Sequence, residues 1–251
     1  MPTPTSSSNA SLIGPSGDPT TDALIFGTKW GSALARTGAS LTYSIPGIGA
    51  TWGYAGPSTS YFPLGSSSEL AAVRYALQSW SAIANVSFAE VSETSSSVGD
   101  LRVGYSSYGM SIDTGAYAYL PSTQPAGGDV WLNSALRGTV FTDASYGVGG
   151  IGQFVFLHEF GHALGLKHPF EISSYANITL GASDDTIFNT VMSYNLQPGI
   201  RNAFTNSRTY ATTAMADDID AIQYIYGANI ASHAGDDLYV FYGSHNCVPG
   251  Q

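Results

Sequence analysis

The strongest constraint on this chain is the stretch HEFGHALGLKH at residues 158–168, which holds three of its five histidines. His158 and His162 lie four residues apart in an apolar run that predicts a buried helix over residues 150–166. That spacing puts both imidazoles on one face of the helix, about one turn apart. The two histidines can therefore bind the same metal ion.

A glycine follows the second histidine and makes a third ligand reachable. Gly165 can adopt a positive φ angle and end the helix, which would bring His168 back toward the first two histidines. Pro169 then prevents a return to helix. Glu159 follows His158 directly, so we expect its carboxylate to face a water molecule at the metal rather than the metal itself. Three histidines beside such a glutamate favour zinc with an open coordination position and Glu159 as general base.

Two other interpretations stay open on these residues alone. The histidines could be hydrogen-bonded core groups with no metal, in which case the spacing of Glu159, Gly165 and His168 would be accidental. Alternatively, the chain could bind zinc as a catalytically silent scaffold that serves binding or surface interaction. Replacement of Glu159 separates the catalytic site from the scaffold, because it removes the base and leaves the ligands.

Composition narrows the class of protein. The 251 residues are 43% hydrophobic, enough for one large domain or two lobes around a shared cleft. The formal net charge of -10 disfavours nucleic acid and anionic membranes as partners. No apolar run approaches the ~20 residues of a membrane span, and no N-terminal signal peptide is visible. The single cysteine, Cys247, excludes an intrachain disulfide and a cysteine-based zinc site.

The order of predicted elements indicates an α+β fold with the sheet in the N-terminal part. Amphipathic helices are predicted over residues 67–86, with Ser67 or Ser68 as the cap, and over residues 216–227. Short β-type runs lie at residues 39–47, 86–91, 100–106, 115–121 and 128–133. Residues 1–20 are rich in Pro, Ser and Thr, and we expect a flexible segment there.

A second motif, TVMSYN at residues 190–195, lies downstream of the histidines. Together with FLHEFGHALGLKHP at residues 156–169, it resembles the serralysins, secreted bacterial zinc endopeptidases of the metzincin type. Pro169 after the third histidine is typical of that branch. The resemblance covers roughly residues 20–242, and it includes DALIFGTKWG, LTYSIPG, AYAYLP, GGDVWLN and ADDIDAIQYIYGAN.

This resemblance implies a metzincin fold with a twisted, mostly parallel five-stranded sheet, one antiparallel edge strand and three main helices. It implies a catalytic domain over residues 21–242, with an N-terminal lobe to about residue 165, a C-terminal lobe after it, and a tail over residues 243–251. We expect a secreted monomer that cleaves proteins or peptides. The sequence leaves open whether it is a broad or a narrow processing protease.

The resemblance also implies site roles beyond the three histidines and Glu159. Tyr194 becomes a further zinc ligand that can swing away and hydrogen-bond the tetrahedral intermediate. Met192 becomes a hydrophobic floor beneath the histidines, as the methionine of the Met-turn. We expect the specificity pocket in the loop between His168 and Met192.

An edge strand above the cleft is expected to pair with extended substrate. The candidate strand is GAYAYLP, with Ala116, Tyr117, Ala118 and Tyr119 as substrate-binding residues. The alternative is a core strand whose two tyrosines only pack.

Calcium is the least defined cofactor. Serralysins continue into a β-roll of calcium-binding repeats, and no such repeat occurs in this sequence, so calcium dependence stays open. Asp217, Asp218 and Asp220 could suggest a calcium site, but an acidic first helical turn is the preferred interpretation.

Overall fold

A computed structural model describes residues 3–4, 9–173, 175, 177–197, 200–201 and 209–232. The predicted tail at residues 243–251, with Cys247, lies outside them. The helices are α1 (Pro19–Leu24), α2 (Ser67–Ile83), α3 (Ile151–Ala163) and α4 (Ala216–Tyr226), and 3-10 turns lie at Pro57–Ser60, Ser134–Leu136 and Asp143–Tyr146. The strands are β1 (Thr3–Pro4), β2 (Ala10–Leu12), β3 (Thr28–Trp30), β4 (Ala39–Ser44), β5 (Val86–Glu90), β6 (Ser97–Val98), β7 (Leu101–Ser106), β8 (Ala116–Ala118), β9 (Val130–Asn133), β10 (Asn195–Gln197) and β11 (Ile200–Arg201).

The main sheet confirms the predicted architecture. Its five strands are ordered β5-β4-β7-β9-β8. Neighbours from β5 to β9 run parallel, whereas β8 runs antiparallel to β9, with Ala116 opposite Leu132 and Ala118 opposite Val130. β7 and β9 are buried throughout and β8 is half-buried. The antiparallel strand β8 is therefore one of the two edge strands, with β5 at the opposite edge. Helix α3 contacts β8 and β9, and α2 contacts β5.

The N-cap of helix α2 lies one residue before the caps that we expected. Ser66, not Ser67 or Ser68, is the N-cap: its Oγ accepts the Glu69 amide at 3.1 Å, and the Glu69 carboxylate accepts the Ser66 amide at 2.9 Å. Three consecutive serines offer the same chemistry, and only the reciprocal bond to Glu69 selects among them. Further along α2, Trp80 is fully buried and its Nε1 donates to Leu157 O of α3 at 3.0 Å.

Part of the N-terminal segment is built into the fold rather than being a flexible lead-in. β2 pairs antiparallel with β3, and Ile13 is buried in the core next to it. Asp18 then caps α1 by accepting the Thr21 amide at 2.8 Å, with Pro19 in the first turn. The apolar positions within this polar stretch are enough to pair and pack it. Among the described residues, no helix is long and apolar enough to cross a membrane.

The chain has two lysines, Lys29 and Lys167, and both are buried. Lys29 Nζ donates to the carbonyl oxygens of Ser32, Leu34 and Thr37 at 2.9, 3.2 and 2.8 Å, and it lies 3.0 Å from Thr37 Oγ1. Burial lowers the pKa of Lys29 to about 8. The carbonyl oxygens offset part of that desolvation, so this side chain holds residues 32–37 against the body of the protein.

We predict that Lys29→Met lowers the free energy of unfolding by about 1–3 kcal/mol, because it leaves several buried carbonyls without a donor. Thermal and denaturant unfolding measure this loss. Arg74→Met is the control, since Arg74 is an exposed cation paired with Glu90, and such a pair contributes less than about 1 kcal/mol. Equal losses in the two variants would contradict the interpretation.

Candidate metal centre and active site

Helix α3 carries the first two histidines through the centre of the protein. It is apolar on most sides and buried along its length, with only His162 partly exposed. His158 and His162 project from the same face, with ring centroids 4.8 Å apart. The helix therefore presents two imidazoles from a rigid, fully packed element.

The chain reverses just after α3, at the predicted glycine. Gly165 has a φ of +107°, and a Cβ there would lie 2.2 Å from Thr28 O. Both the backbone angle and the space exclude other residues. The Leu166 amide donates back to Gly161 O at 3.0 Å, which closes the helix end.

Distant parts of the chain satisfy the last carbonyls of α3. Trp30 Nε1 donates to Ala163 O at 2.8 Å, and the Tyr226 hydroxyl donates to Leu164 O at 2.9 Å. The segment after the turn pairs with the segment after α1, through a Phe26 amide to Gly165 O bond of 2.9 Å. The path from the helix to the third histidine is thus held by β3, α4 and the end of α1.

The reversal brings the three histidines together. The Nε2 atoms of His158 and His162 lie 3.1 Å apart, those of His162 and His168 lie 3.1 Å apart, and those of His158 and His168 lie 3.2 Å apart. Tetrahedral zinc with bonds of 2.0–2.1 Å requires ligand nitrogens about 3.3 Å apart. The triangle has the size of one face of a zinc coordination tetrahedron.

The outer nitrogens fix how the rings are protonated. Val191 O lies 2.7 Å from His158 Nδ1 and Leu166 O lies 2.9 Å from His162 Nδ1, each within hydrogen-bonding geometry. A Glu171 carboxylate oxygen lies 2.8 Å from His168 Nδ1 as an ion-pair contact, without hydrogen-bonding geometry. An Nδ1 that keeps its proton leaves a lone pair on Nε2. Three such lone pairs facing one another repel, and a cation between them removes the repulsion. The donor set therefore fits a metal ion.

Burial keeps His158 and His162 neutral. Desolvation, followed by the neighbouring histidines, lowers the pKa of His158 well below its ordinary value, and desolvation lowers that of His162 to about 3. A neutral imidazole is the form that binds a metal. Neither ring has to lose a proton at neutral pH before it can act as a ligand.

Glu159 lies beside the ligands and not among them. It is 5% exposed, and its Oε2 has no hydrogen-bond partner among the described residues. Burial raises its pKa to about 8, and a cation in the histidine cluster would lower that value again. A buried carboxylate oxygen without a partner is suited to accept a proton from a group that enters the cleft.

The segment from residue 190 to 195 lies beneath α3. Met192 is fully buried, and a Cβ on Gly161 would lie 2.6 Å from its Sδ and 3.2 Å from Trp80. Gly161 therefore allows the sulfur to approach the helix between the two histidine turns. This packing supports the predicted role of Met192 as a hydrophobic floor, which stays a prediction.

Sequence reasoning missed the role of Asp218. Its buried carboxylate accepts the Thr190 hydroxyl at 2.5 Å, the Val191 amide at 2.8 Å and the Met215 amide at 2.8 Å. Val191 in turn offers its carbonyl to His158, so Asp218 supports a predicted metal ligand through one residue. We expected only an acidic first turn of α4, and no local signal identifies the loop that Asp218 binds.

Lys167 has a similar supporting position. Its buried Nζ donates to Ala23 O, to Glu171 O at 2.7 Å and to Ile178 O at 3.2 Å. These bonds tie the segment after His168 to the end of α1.

Tyr194 lies against the cluster. Its ring centroid is 5.6 Å from that of His158, 4.5 Å from that of His168 and 5.3 Å from that of Phe170. Next to the histidines lie two cavities, and Tyr194 and Glu159 line both of them. The predicted oxyanion donor and the predicted base therefore face the same space.

The cleft runs along the edge strand β8. A cavity of about 200 Å³ is lined by Ala116, Tyr117 and Ala118 together with the histidine site. Tyr119 lies outside it: its ring packs edge-on against Tyr54 and Tyr117, with centroids 5.9 and 5.7 Å apart. Three of the four predicted substrate-binding residues thus line the cleft, whereas Tyr119 follows the end of β8 and packs on Tyr54 and Tyr117 instead.

A larger cavity of about 570 Å³ opens on the other side of Glu159. Its apolar lining comes from Ile112, Leu136, Val140, Phe141, Ile151 and Val155. We expected the specificity pocket in the loop between His168 and Met192, but of the described residues in that loop none lines this cavity. The larger cavity is lined by the segment before β8, the segment after β9 and helix α3, whereas Glu171 of the predicted loop lines the smaller cavity. The location of the specificity pocket stays a prediction.

The sequence of this chain is similar to those of known proteins. The family model described as matrixin matches residues 54–189. Serralysin B from Dickeya chrysanthemi is 33% identical over 232 residues, which cover 85% of this chain and 44% of the relative. Serralysin C from the same organism is 34% identical over 70% of this chain and 37% of the relative. Metalloprotease AprA from Pseudomonas entomophila is 33% identical over 67% of this chain and 35% of the relative. The chain thus spans less than half the length of these relatives.

We predict that Gly165→Ala lowers zinc affinity and lowers the free energy of unfolding by at least about 1–3 kcal/mol, because it strains the reversal that places His168. Native mass spectrometry of zinc per chain and thermal unfolding measure the two effects. Gly14→Ala is the control, since Gly14 has open space around its Cβ position and no positive φ. Full zinc occupancy with an unchanged melting temperature in Gly165→Ala would refute the role of this turn.

Proposed function

The chain belongs to the matrixin family, and on that premise we propose that it is a zinc-dependent endopeptidase. Zinc would be held by His158, His162 and His168. The observation that carries the proposal is the convergence of three Nε2 atoms within 3.1–3.2 Å of one another, beside the unpartnered carboxylate oxygen of Glu159. We propose this activity for the described domain. The names of the relatives, serralysin and metalloprotease, indicate the class of enzyme.

Zinc, when bound, would polarise a peptide carbonyl and lower the pKa of a water molecule. Glu159 acts as the general base that takes a proton from the attacking water. The same carboxyl then returns the proton to the leaving amine. Burial favours this exchange, because a carboxyl whose pKa is raised toward neutrality can both accept and release a proton.

Tyr194 contributes in two states. Its phenol would be a further ligand of bound zinc in the resting site, and during turnover it would donate a hydrogen bond to the developing oxyanion. The position of its ring against His158 and His168 supports both roles. A donor aimed at charge that develops in the transition state is worth about 10²–10³ in kcat.

The edge strand β8 provides the main-chain recognition. A peptide that adds to its free edge lies along the cleft, with Ala116, Tyr117 and Ala118 beside it. Main-chain pairing tolerates many sequences, so selectivity is left to the cavities that flank the metal site. The apolar lining of the larger cavity favours a bulky apolar residue next to the cleaved bond.

We also propose that the enzyme acts outside the cell, on the resemblance to serralysins. Detection of the protein in the culture medium of its source tests this.

We propose no role for calcium. Asp218, one of the acidic residues that could suggest a calcium site, already uses its carboxylate to accept hydrogen bonds within the protein.

We predict that Glu159→Gln lowers casein cleavage by at least about 10²-fold and keeps one zinc per chain, because the amide cannot act as a base. Chelator should abolish wild-type cleavage, and added zinc should restore it. Turnover, zinc content and thermal unfolding are measured together. A zinc-loaded wild type that cleaves neither casein nor a broad peptide library would favour the scaffold interpretation instead.

We predict that Val155→Phe shifts cleavage toward small residues beside the cleaved bond, because the added ring occupies the larger cavity. Proteomic cleavage-site profiling of a peptide library measures the shift. Val148→Phe is the matched control, since Val148 is 83% exposed and does not line the cavity. The cavity has no role in selectivity if both variants keep the wild-type profile.

A further inference from the structure

We propose that Asp185 is a positioning residue for Tyr194: its carboxylate clamps both neighbours of that tyrosine and so fixes where the phenol meets the substrate. The inference rests on the proposed peptidase function and extends it to a residue outside the metal site. The buried carboxylate of Asp185 takes no part in the histidine cluster or in the proposed proton transfer.

The clamp consists of one bond from each side of Tyr194. Asp185 is 5% exposed. Ser193 Oγ donates to its Oδ1 at 2.6 Å, and Asn195 Nδ2 donates to its Oδ2 at 2.6 Å. Each carboxylate oxygen therefore holds one neighbour of the tyrosine.

Further bonds close the clamp. Asn195 donates its amide to Ser193 Oγ at 3.0 Å and its Nδ2 to Asp185 O at 3.0 Å. The Ile187 amide donates to Asn195 O at 2.8 Å, and both Ser193 and Asn195 are buried. The main chain on either side of Tyr194 is thus fixed, and a swing of the phenol has to use the side-chain torsions alone.

The residue type suits this task. A carboxylate accepts from two donors at once, whereas an amide offers one oxygen and would turn its NH₂ toward the other donor. Bonds to an ionised acceptor are also about twice as strong as neutral ones. Because all three side chains are buried, loss of the acceptor leaves donors without partners.

Two buried carboxylates then divide the support of residues 190–195. Asp218 binds Thr190 and Val191, whose carbonyl orients His158, and so acts on a metal ligand. Asp185 binds the residues around Tyr194 and so acts on the oxyanion donor. Loss of Asp185 should therefore reduce turnover with zinc still bound.

A double-mutant cycle of Asp185→Ala with Tyr194→Phe tests this proposal on the zinc-loaded protein. We expect Asp185→Ala to lower kcat about tenfold or more with KM within about twofold, since a misplaced group loses rate. We expect it to change kcat by less than about twofold in the Tyr194→Phe background, because the hydroxyl that it positions is already absent. Asp185→Asn should fall between Asp185→Ala and wild type. Asp184→Asn, at the exposed neighbouring carboxylate, should match wild type.

Hydrogen–deuterium exchange gives a readout that does not depend on turnover. In both zinc-free and zinc-loaded protein, Asp185→Ala should speed exchange in peptides that contain the Ile187 and Asn195 amides, and Asp184→Asn should not. Equal losses of kcat in the two tyrosine backgrounds, unchanged exchange, or loss of zinc in Asp185→Ala would each overturn the clamp. An inert zinc-loaded wild type would instead overturn the proposed function and the clamp together.

Discussion

The reversal at Gly165 is the constraint on which the rest of the site depends. A helix can align two histidines by itself, but the third ligand arrives only because the chain turns against Thr28 where no side chain fits. The turn is held by Trp30 and Tyr226, which cap the carbonyls of a helix far from both in sequence. The geometry of the predicted metal site therefore depends on how Trp30 and Tyr226, from opposite ends of the domain's sequence, pack onto α3.

Buried polar groups, rather than apolar contacts, hold the irregular segments around this helix. Loops carry backbone amides and carbonyls that no strand or helix pairs, and each needs a partner once water is excluded. Asp218 and Asp185 supply acceptors to residues 190–195, and Lys167 supplies donors to the segment after His168. These residues lie around the site and bind it through hydrogen bonds. Small displacements of them would change the positions of the histidines and of Tyr194 but leave the apolar core intact.

The sequence predicted what depends on local spacing. The helical pair of histidines, the turn at Gly165, the buried helix and the mostly parallel sheet with one antiparallel edge strand all follow from residues close together in the chain or from the resemblance that they carry. Partners across space were not predictable: Asp218 lies 27 residues from the Val191 amide that it binds. The apolar cavity was not predicted, because segments before β8 and after β9 meet helix α3 to form it. Ser66 was missed since its neighbours have the same cap chemistry.

The burial of both lysines gives the folded domain an unusual surface. No lysine amine is available to solvent, although each is solvated internally by carbonyl oxygens. Reagents that acylate lysine have no target on these side chains until the surrounding segments separate. Amine labelling of Lys29 and Lys167 would therefore report opening of the protein at two known positions, one within β3 and one next to His168, without any introduced probe.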